Sequence, residues 1–184
     1  VFALNELLKT DIDRLTMVQM AQKAEHEFAG VLCGIMDQFA TMMGKKDYVI
    51  KLDCRSLAYE YVPFKLEGIK VLLLNTNVKH SLASSAYNKR REECAAGVKI
   101  LQQHYPEVHS LRNVSLQMLD EHVCPYEPLI DRRCRFVVEE IQRLQHACAD
   151  LQKGDIESLG KRMFATHDGL SREYEVSCSE LDYL

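Results

Sequence analysis

The stretch of residues 25–39, EHEFAGVLCGIMDQF, joins the end of one apolar helical pattern to the start of the next. Gly30 suits the end of the first helix, and the second helix is expected to begin after Gly34, because glycine is unfavourable inside helices. Glu25 lies on the apolar face of the first helix, and Asp37 falls in the first turn of the second. The stretch therefore predicts two helices joined by a short loop, with a half-hidden carboxylate on each side of it.

The composition excludes several classes of protein. The chain has 184 residues, of which 47% are hydrophobic, so it can bury a core and form one large domain or parts of two. Lysine and arginine do not gather on one stretch, and the net charge is −4, so no nucleic-acid partner is expected. No apolar run approaches the ~18 residues of a membrane span, so no membrane partner is expected either.

The cysteines are odd in number and widely spaced, and no two of them form a CxxC pair. This usage favours reduced, mostly buried thiols in a cytoplasmic protein. The chain also begins and stops inside helical patterns, which predicts a segment of a longer protein. The cysteines are Cys33, Cys54, Cys94, Cys124, Cys134, Cys148 and Cys178.

The first 76 residues combine helices with a small sheet. A helix capped by Thr10 or Asp11 is expected to run to Phe28, and a shorter one to end at Gly44. From residue 48 the apolar period changes to two, which predicts strands over residues 48–53, 57–64 and 69–75 in one antiparallel sheet. The buried stripe of the shorter helix is expected to contain Met36, Phe39, Ala40 and Met43.

Beyond residue 77 the pattern is helical. Ser84 or Ser85 is expected to cap the first of these helices, a short helix follows over residues 114–122, and the longest covers residues 131–153. Asp155 then caps another helix. Leu144 and Met163 are expected to face the interior. The fold class is therefore α+β, with a boundary between residues 1–76 and 77–184.

Each of the two carboxylates has a structural and a functional explanation. Glu25 either reaches solvent or pairs with a lysine, or it is a ligand for Mg²⁺, whose usual shell is one or two carboxylates with phosphates and water. Asp37 either complements the positive end of its helix or acts as a general base on a substrate. Gly34 would let a ligand approach the backbone closely.

Other candidate residues have simpler explanations. The segment 81–86, SLASSA, lacks the glycines of a phosphate-binding loop and is interpreted as a helix entry. His167 could pair with Asp168. Arg90 and Arg91 are expected on a solvated helix face, and Tyr87 is more typical of packing than of ligand binding.

Several segments together resemble the galactokinases, a family within the GHMP sugar and metabolite kinases. The most specific is residues 33–38, CGIMDQ, with Glu25 ahead of it. The resemblance continues along the chain in the same order as in the family. The further segments are residues 52–56 (LDCRS), 75–83 (NTNVKHSLA), 87–91 (YNKRR) with Cys94, and 174–182 (YEVSCSELD).

This resemblance implies roles for four residues. Asp37 would face the anomeric hydroxyl of galactose and abstract or orient its proton for attack on the γ-phosphate of ATP. Gly34 and Tyr87 would contact the sugar, and Glu25 would serve the Mg²⁺ ion. The implied fold is a partial GHMP kinase fold: an incomplete N-terminal α+β domain over residues 1–76 with an antiparallel sheet, and a largely helical part of the C-terminal domain over residues 77–184.

The chain departs from the family pattern in three places. The Gly-Glu-His-Thr-Asp-Tyr segment, the Gly-Leu-Ser-Ser-Ser-Ala phosphate loop and the glycine-rich third motif do not occur in the 184 residues. The residues that bind the nucleotide are therefore not assigned. We expect the 184-residue chain on its own to be inactive as a kinase, and the whole protein to be a monomer.

Three alternatives to a galactose kinase remain at this level. The protein could be a non-catalytic galactokinase-like sensor that binds galactose and ATP and regulates a partner. It could be a kinase for N-acetylgalactosamine, or a helical interaction module without chemistry of its own.

Overall fold

The computed structural model describes residues 1–64, 68–78 and 86–184, and the side chains of all of these except residues 86 and 87. The chain divides into two compact units, Val1–Leu72 and Leu73–Leu184. Helices dominate, and the first unit also contains a two-stranded antiparallel sheet, so the predicted α+β class is confirmed. The assignment of residues 1–76 and 77–184 to two kinase domains stays a prediction.

The first unit contains three helices and a hairpin in the residues described. Helices α2 and α3 pack against each other, and their core is formed by Val18, Ile35 and Phe39. The hairpin strands pair with Ile50 opposite Tyr61, and the Tyr61 hydroxyl donates to the Met43 carbonyl at 2.7 Å. The elements are α1 (Phe2–Leu8), α2 (Arg14–Phe28), α3 (Met36–Met43), β1 (Tyr48–Leu52) and β2 (Tyr59–Pro63).

Helix α2 begins later than the sequence predicts. Its cap is Asp13, whose carboxylate accepts from the Thr16 N–H at 3.0 Å and from the Thr16 hydroxyl at 2.6 Å. These two hydrogen bonds lower the pKa of Asp13. The predicted cap Thr10 instead donates to the Asn5 side chain at 2.8 Å, and Asp11 has a left-handed φ of 57°. Thr10 is therefore used to close α1.

The predicted third strand is wrong. Within residues 68–78 the structure has no strand, and the apolar side chains of this segment are exposed. A strand requires a neighbour that satisfies its backbone N–H and C=O groups. In the described part of the chain, β1 and β2 pair only with each other. The exposed apolar side chains are Ile69, Val71, Leu72, Leu73 and Leu74.

The apolar stripe of α3 is narrower than predicted. Phe39 is fully buried, whereas Met36 and Ala40 are exposed and Met43 is half-buried. Phe28, at the end of α2, is 88% exposed. Periodicity identified these two helices correctly, but it did not identify which of their apolar residues are buried.

The second unit is helical in its described residues. Its core combines α4, α5 and α6 through residues such as Leu101, Leu119 and Val138. Ser115 caps α5 by accepting from the Met118 N–H at 3.2 Å, and Asp155 caps α7 by accepting from the Ser158 N–H at 3.0 Å. The elements are α4 (Ala86–Gln102), a 3₁₀ helix (Leu111–Asn113), α5 (Leu116–His122), α6 (Pro128–Lys153), α7 (Ile156–Arg172) and α8 (Ser179–Tyr183).

The contact between α6 and α7 is more polar than the sequence pattern predicts. Met163 is 65% exposed and Leu144 is also exposed, so both predictions of an interior position are wrong. The contact instead includes Arg162 of α7, which pairs with Asp150. It also includes the Thr166 hydroxyl, which donates to Glu140 at 2.7 Å. Because these polar side chains bond to each other, they can lie in the contact between α6 and α7, while the apolar Leu144 and Met163 lie outside it.

Two glycines allow the helices to approach closely. A Cβ atom at Gly97 of α4 would lie 2.3 Å from the Cys134 sulfur, and one at Gly169 of α7 would lie 2.4 Å from the Phe136 ring. Both neighbours belong to α6. No helix in the described part of the chain is long and apolar enough to cross a bilayer.

The glycines of α7 provide a matched test of this packing. Gly169→Ala should lower the free energy of unfolding by about 1–3 kcal/mol, the usual cost of overpacking, because the new methyl group collides with Phe136. Gly160→Ala, whose Cβ meets nothing within 4 Å, should raise it by about 0.5–1 kcal/mol through helix propensity. Urea denaturation of both variants measures the difference, and equal effects would contradict the close contact at Gly169.

Candidate functional site

Asp37 stands in the first turn of α3 with its side chain exposed. The helix begins after Ile35, whose carbonyl accepts from the Phe39 N–H at 3.0 Å, and no side chain caps its first turn. An acidic residue is common in the first turn of a helix, near the unpaired N–H groups. The chain therefore presents the Asp37 carboxylate to solvent, rather than half-hidden as the sequence predicts.

The loop between α2 and α3 is held by side chains of α2. The Cys33 carbonyl accepts from Gln22 Nε2 at 3.2 Å, and His26 Nε2 lies 2.9 Å from the same oxygen. Since a carbonyl oxygen only accepts, His26 carries its proton on Nε2 in this contact. Gln22 and His26 are four residues apart and share one face of α2. This clamp fixes the backbone immediately before Gly34.

Gly34 borders open space. A Cβ atom built on it meets nothing within 4 Å, so its backbone is open to close approach by a ligand. Gly30 has a different role, because its φ of 67° lies in the left-handed region that other residues adopt only with strain. The loop thus has one glycine that turns the chain and another that leaves space beside Asp37.

Glu25 is exposed on α2, so the expectation of a half-hidden carboxylate is wrong for this residue as well. The lysine nearby in sequence, Lys23, pairs with Glu27 at 3.6 Å. In the described part of the chain no group of three acidic, histidine or cysteine side chains could hold a metal ion. A solvent-facing carboxylate nevertheless fits Mg²⁺, which takes most of its ligands from water and phosphate.

Tyr87 belongs to the first turn of α4, but its side chain lies outside the described residues. The same holds for the predicted caps Ser84 and Ser85 and for the rest of the segment 81–85. The roles of Glu25, Gly34, Asp37 and Tyr87 therefore stay predictions.

Two of the sequence segments that carried the resemblance meet in the second unit. Arg90 and Cys94 belong to the first segment, and Tyr174 and Glu175 to the second. Arg90 Nη1 lies 3.9 Å from Glu175 Oε2, and Cys94 Sγ lies 3.6 Å from the Tyr174 hydroxyl. The contacts connect the start of α4 with the chain that follows α7.

Arg133 of α6 stands at the centre of this region. It is only 1% exposed, and its guanidinium lies 3.3 Å from Glu93 and 2.6 Å from Glu175. It also donates to the Glu173 carbonyl. The hydrogen bond from Arg133 lowers the pKa of Glu175. Arg90 is buried beside Glu93 at 3.0 Å, so its predicted place on a solvated face is wrong.

Asp182 holds the last helix in place. Its carboxylate accepts from the Ser177 hydroxyl at 2.7 Å and from the Ser171 hydroxyl at 2.9 Å, which lowers its pKa. His167 Nε2 lies 3.4 Å from Asp182, and not against its sequence neighbour Asp168, with which it could also have paired. The second of the two segments thus closes α8 onto α7.

No role was predicted from the sequence for Gln22, His26, Arg133 or Glu175. The spacing of Gln22 and His26 could have indicated a shared contact, because residues four apart on a helix lie on the same face. Arg133 carried no such signal, since arginine is almost never fully buried unless it is paired.

The chain is similar to known proteins in both sequence and fold. Residues 1–45 match the family described as "GHMP kinases N terminal domain". Over 183 residues the chain is 43% identical to the galactokinase of Thermotoga maritima, a match that covers all of this chain and 50% of that protein. It is 42% identical to the galactokinase of Limosilactobacillus fermentum, covering 98% of this chain and 47% of that one.

A solved structure agrees with the fold. The match is the crystal structure of Lactococcus lactis galactokinase complexed with galactose, with a TM-score of 0.90 and 33% identity. It covers 99% of this chain and 47% of that chain. The chain therefore spans about half the length of the relatives it matches.

The clamp on the loop can be tested by hydrogen exchange. Replacing Gln22 and His26 together by alanine should speed exchange of the loop amides around Cys33 by about tenfold, since each lost hydrogen bond costs ~0.5–1.5 kcal/mol. Lys23→Ala, on an exposed position of the same helix, should leave these amides unchanged. Unchanged exchange in the double variant would show that the backbone alone holds the loop.

Proposed function

This chain is homologous to galactokinases along its whole length, and from that relationship we propose that it serves the ATP-dependent phosphorylation of galactose at the anomeric hydroxyl, giving galactose 1-phosphate. The observation that carries the proposal is the agreement of 99% of the chain with a galactose-bound galactokinase at a TM-score of 0.90. The catalytic acid, the loop glycine and the metal ligand are all residues of this chain.

Asp37 is the proposed catalytic residue. Phosphoryl transfer needs positioning and charge neutralisation more than covalent help, and its transition state is loose. A carboxylate at the anomeric hydroxyl accepts its hydrogen bond, aims the oxygen at the γ-phosphate and takes the proton as the new O–P bond forms. The bond from the γ-phosphorus to the bridging oxygen breaks, and ADP leaves with that oxygen. The exposed position of Asp37 at a helix start supports this role, because its carboxylate is accessible and no side chain caps the first turn.

Gly34 and Tyr87 are the proposed sugar contacts. The open space at Gly34 supports contact between its backbone and a ring hydroxyl, and any side chain there would stand in the way. The clamp from Gln22 and His26 holds this backbone before the sugar arrives, which reduces the ordering cost of binding.

Glu25 is the proposed ligand of the Mg²⁺ ion that accompanies ATP. Bound to the phosphates, Mg²⁺ neutralises their charge. The exposure of Glu25 supports this role, because its oxygens are available to a hydrated ion. ATP is the proposed co-substrate, and its phosphate-binding residues are not assigned in these 184 residues.

The role of Asp37 is tested in a chimera of the Thermotoga maritima galactokinase. In this chimera our chain replaces the half of that enzyme that it matches. The chimera should phosphorylate galactose. Asp37→Asn should lower its turnover by ~10²–10⁴ with little change in galactose affinity, since the amide no longer accepts the proton.

The control is Asp47→Asn, an exposed aspartate with a left-handed φ of 65° that asparagine tolerates. Its turnover should match the unsubstituted chimera. Near-normal turnover of Asp37→Asn would contradict the assignment. A folded chimera that binds galactose without turnover would favour the alternative of a non-catalytic galactose sensor. A preference for N-acetylgalactosamine over galactose would favour the alternative of an N-acetylgalactosamine kinase.

The role of Glu25 is tested by magnesium titration of the same chimera. Glu25→Gln removes one anionic oxygen ligand, so more Mg²⁺ should be needed for the half-maximal rate while the KM for galactose changes little. Glu27→Gln is the matched control, because Glu27 is exposed near the same helix end and pairs with Lys23. Identical magnesium titrations of the Glu25 and Glu27 variants would contradict the assignment of Glu25 as a Mg²⁺ ligand.

A further inference from the structure

Two cysteines meet where α4 and α6 approach most closely. Cys94 lies one turn before Gly97 on the same face of α4, and Cys134 projects from α6 against both. The Cys134 thiol donates to the Cys94 carbonyl, with its sulfur 4.0 Å from that oxygen, so the two cysteines lie at the same point of the helix contact. The absence of a side chain at Gly97 makes room for the Cys134 sulfur beside the α4 backbone.

The surroundings make the two sulfurs chemically different. The hydrogen bond from Cys134 is the main cause that lowers the pKa of Cys94 to about 7, and a second hydrogen bond comes from Tyr174. The same contact and burial raise the pKa of Cys134 well above its usual range. Among the charged neighbours of Cys94, Arg90 favours the thiolate and Glu93 opposes it.

Access also differs between the two sulfurs. Cys94 is partly exposed, whereas Cys134 is completely buried. A solute is therefore expected to reach Cys94 before the buried Cys134. A reactive, accessible thiolate beside a protected thiol is the arrangement of a thiol pair that oxidises in two steps.

We propose that Cys94 and Cys134 form a peroxide-oxidisable pair that closes to a disulfide between α4 and α6. The Cys94 thiolate attacks one oxygen of hydrogen peroxide, the O–O bond breaks, and the leaving hydroxide takes a proton to become water. The Cys94 sulfenic acid is then attacked by the Cys134 sulfur. Hydroxide leaves from Cys94 and takes the Cys134 proton as a second water, so two thiols and one peroxide give one disulfide and two waters.

The disulfide would change a contact outside the pair. Cys94 now holds the Tyr174 hydroxyl at 3.6 Å, and this hydrogen bond depends on the sulfur staying in its present position and charge state. Oxidation replaces the thiolate by a neutral, covalently fixed sulfur, which weakens the contact. The proposed phosphorylation chemistry assigns no role to Cys94 or to Cys134, so the proposal does not rest on that function.

The test oxidises the dilute 184-residue chain with hydrogen peroxide and analyses it by intact mass and by non-reducing peptide mapping. The expected result is a linked Cys94–Cys134 peptide that is two hydrogen atoms lighter than its two reduced parts together and is separated by dithiothreitol. The exposed Cys54 and Cys124 report independently that the oxidant is active. Oxidation of those two thiols without the linked peptide would overturn the proposal.

Two variants separate the steps. Cys134→Ser should leave a Cys94 sulfenic acid that dimedone traps, whereas Cys94→Ser should leave Cys134 unmodified. Cys148→Ser, the matched control at another buried cysteine of α6, should form the linked peptide as the original chain does. Oxidation of Cys134 in Cys94→Ser would contradict the order of access.

A comparison of folded and unfolded chain keeps the test decisive if a variant fails to fold. In denaturant any two of the seven cysteines can meet, so the preference for the Cys94–Cys134 peptide should disappear. Equal yields of this peptide from folded and denatured chain would show that the fold does not select the pair, which would also overturn the proposal.

Discussion

The buried guanidinium of Arg133 is the constraint on which the second unit depends. A charge removed from water is tolerated only where its partners surround it, and removing one partner leaves the rest uncompensated. Here the partners come from different parts of the chain: Glu93 from α4, and Glu175 with the Glu173 carbonyl from the segment after α7. The guanidinium of Arg133 has all of its partners only when α4, α6 and the segment after α7 are correctly placed together. This one side chain therefore couples the positions of the three elements.

The close helix contacts at the two glycines serve the same arrangement. Gly97 brings α4 onto α6 at Cys134, and Gly169 brings α7 onto α6 at Phe136, whose ring also lies 5.0 Å from that of Tyr174. A buried ionic cluster requires short distances, and the glycines provide them. Segments that resemble galactokinase motifs thus have a structural role in this unit, and the thiol pair lies between them.

In the first unit the corresponding constraint is the Cys33 carbonyl. Two side chains of α2 converge on this one oxygen, so the loop that follows α2 cannot move independently of it. Phe39 then anchors α3 in the small core with Val18 and Ile35. The result is a rigid helix start with an open glycine on one side and an exposed carboxylate in its first turn. This arrangement would reduce the ordering cost of the proposed sugar contact.

The sequence by itself determined the helices, the hairpin, the fold class and the relationship to galactokinases, because these depend on local periodicity, on turn residues and on an ordered set of short motifs. The cap of α2 is Asp13 and not the predicted Thr10 or Asp11, because the N–H and the hydroxyl of Thr16 both donate to the Asp13 carboxylate. Only the tertiary structure decided which polar residues are buried, that residues 69–75 are not a strand in the described part of the chain, and that both candidate carboxylates face solvent. Arg133 shows the physical reason. Its charge can be buried only because Glu93 and Glu175 pair with it, and both lie forty or more residues away in the sequence. A local sequence pattern does not show which distant residues will be in contact.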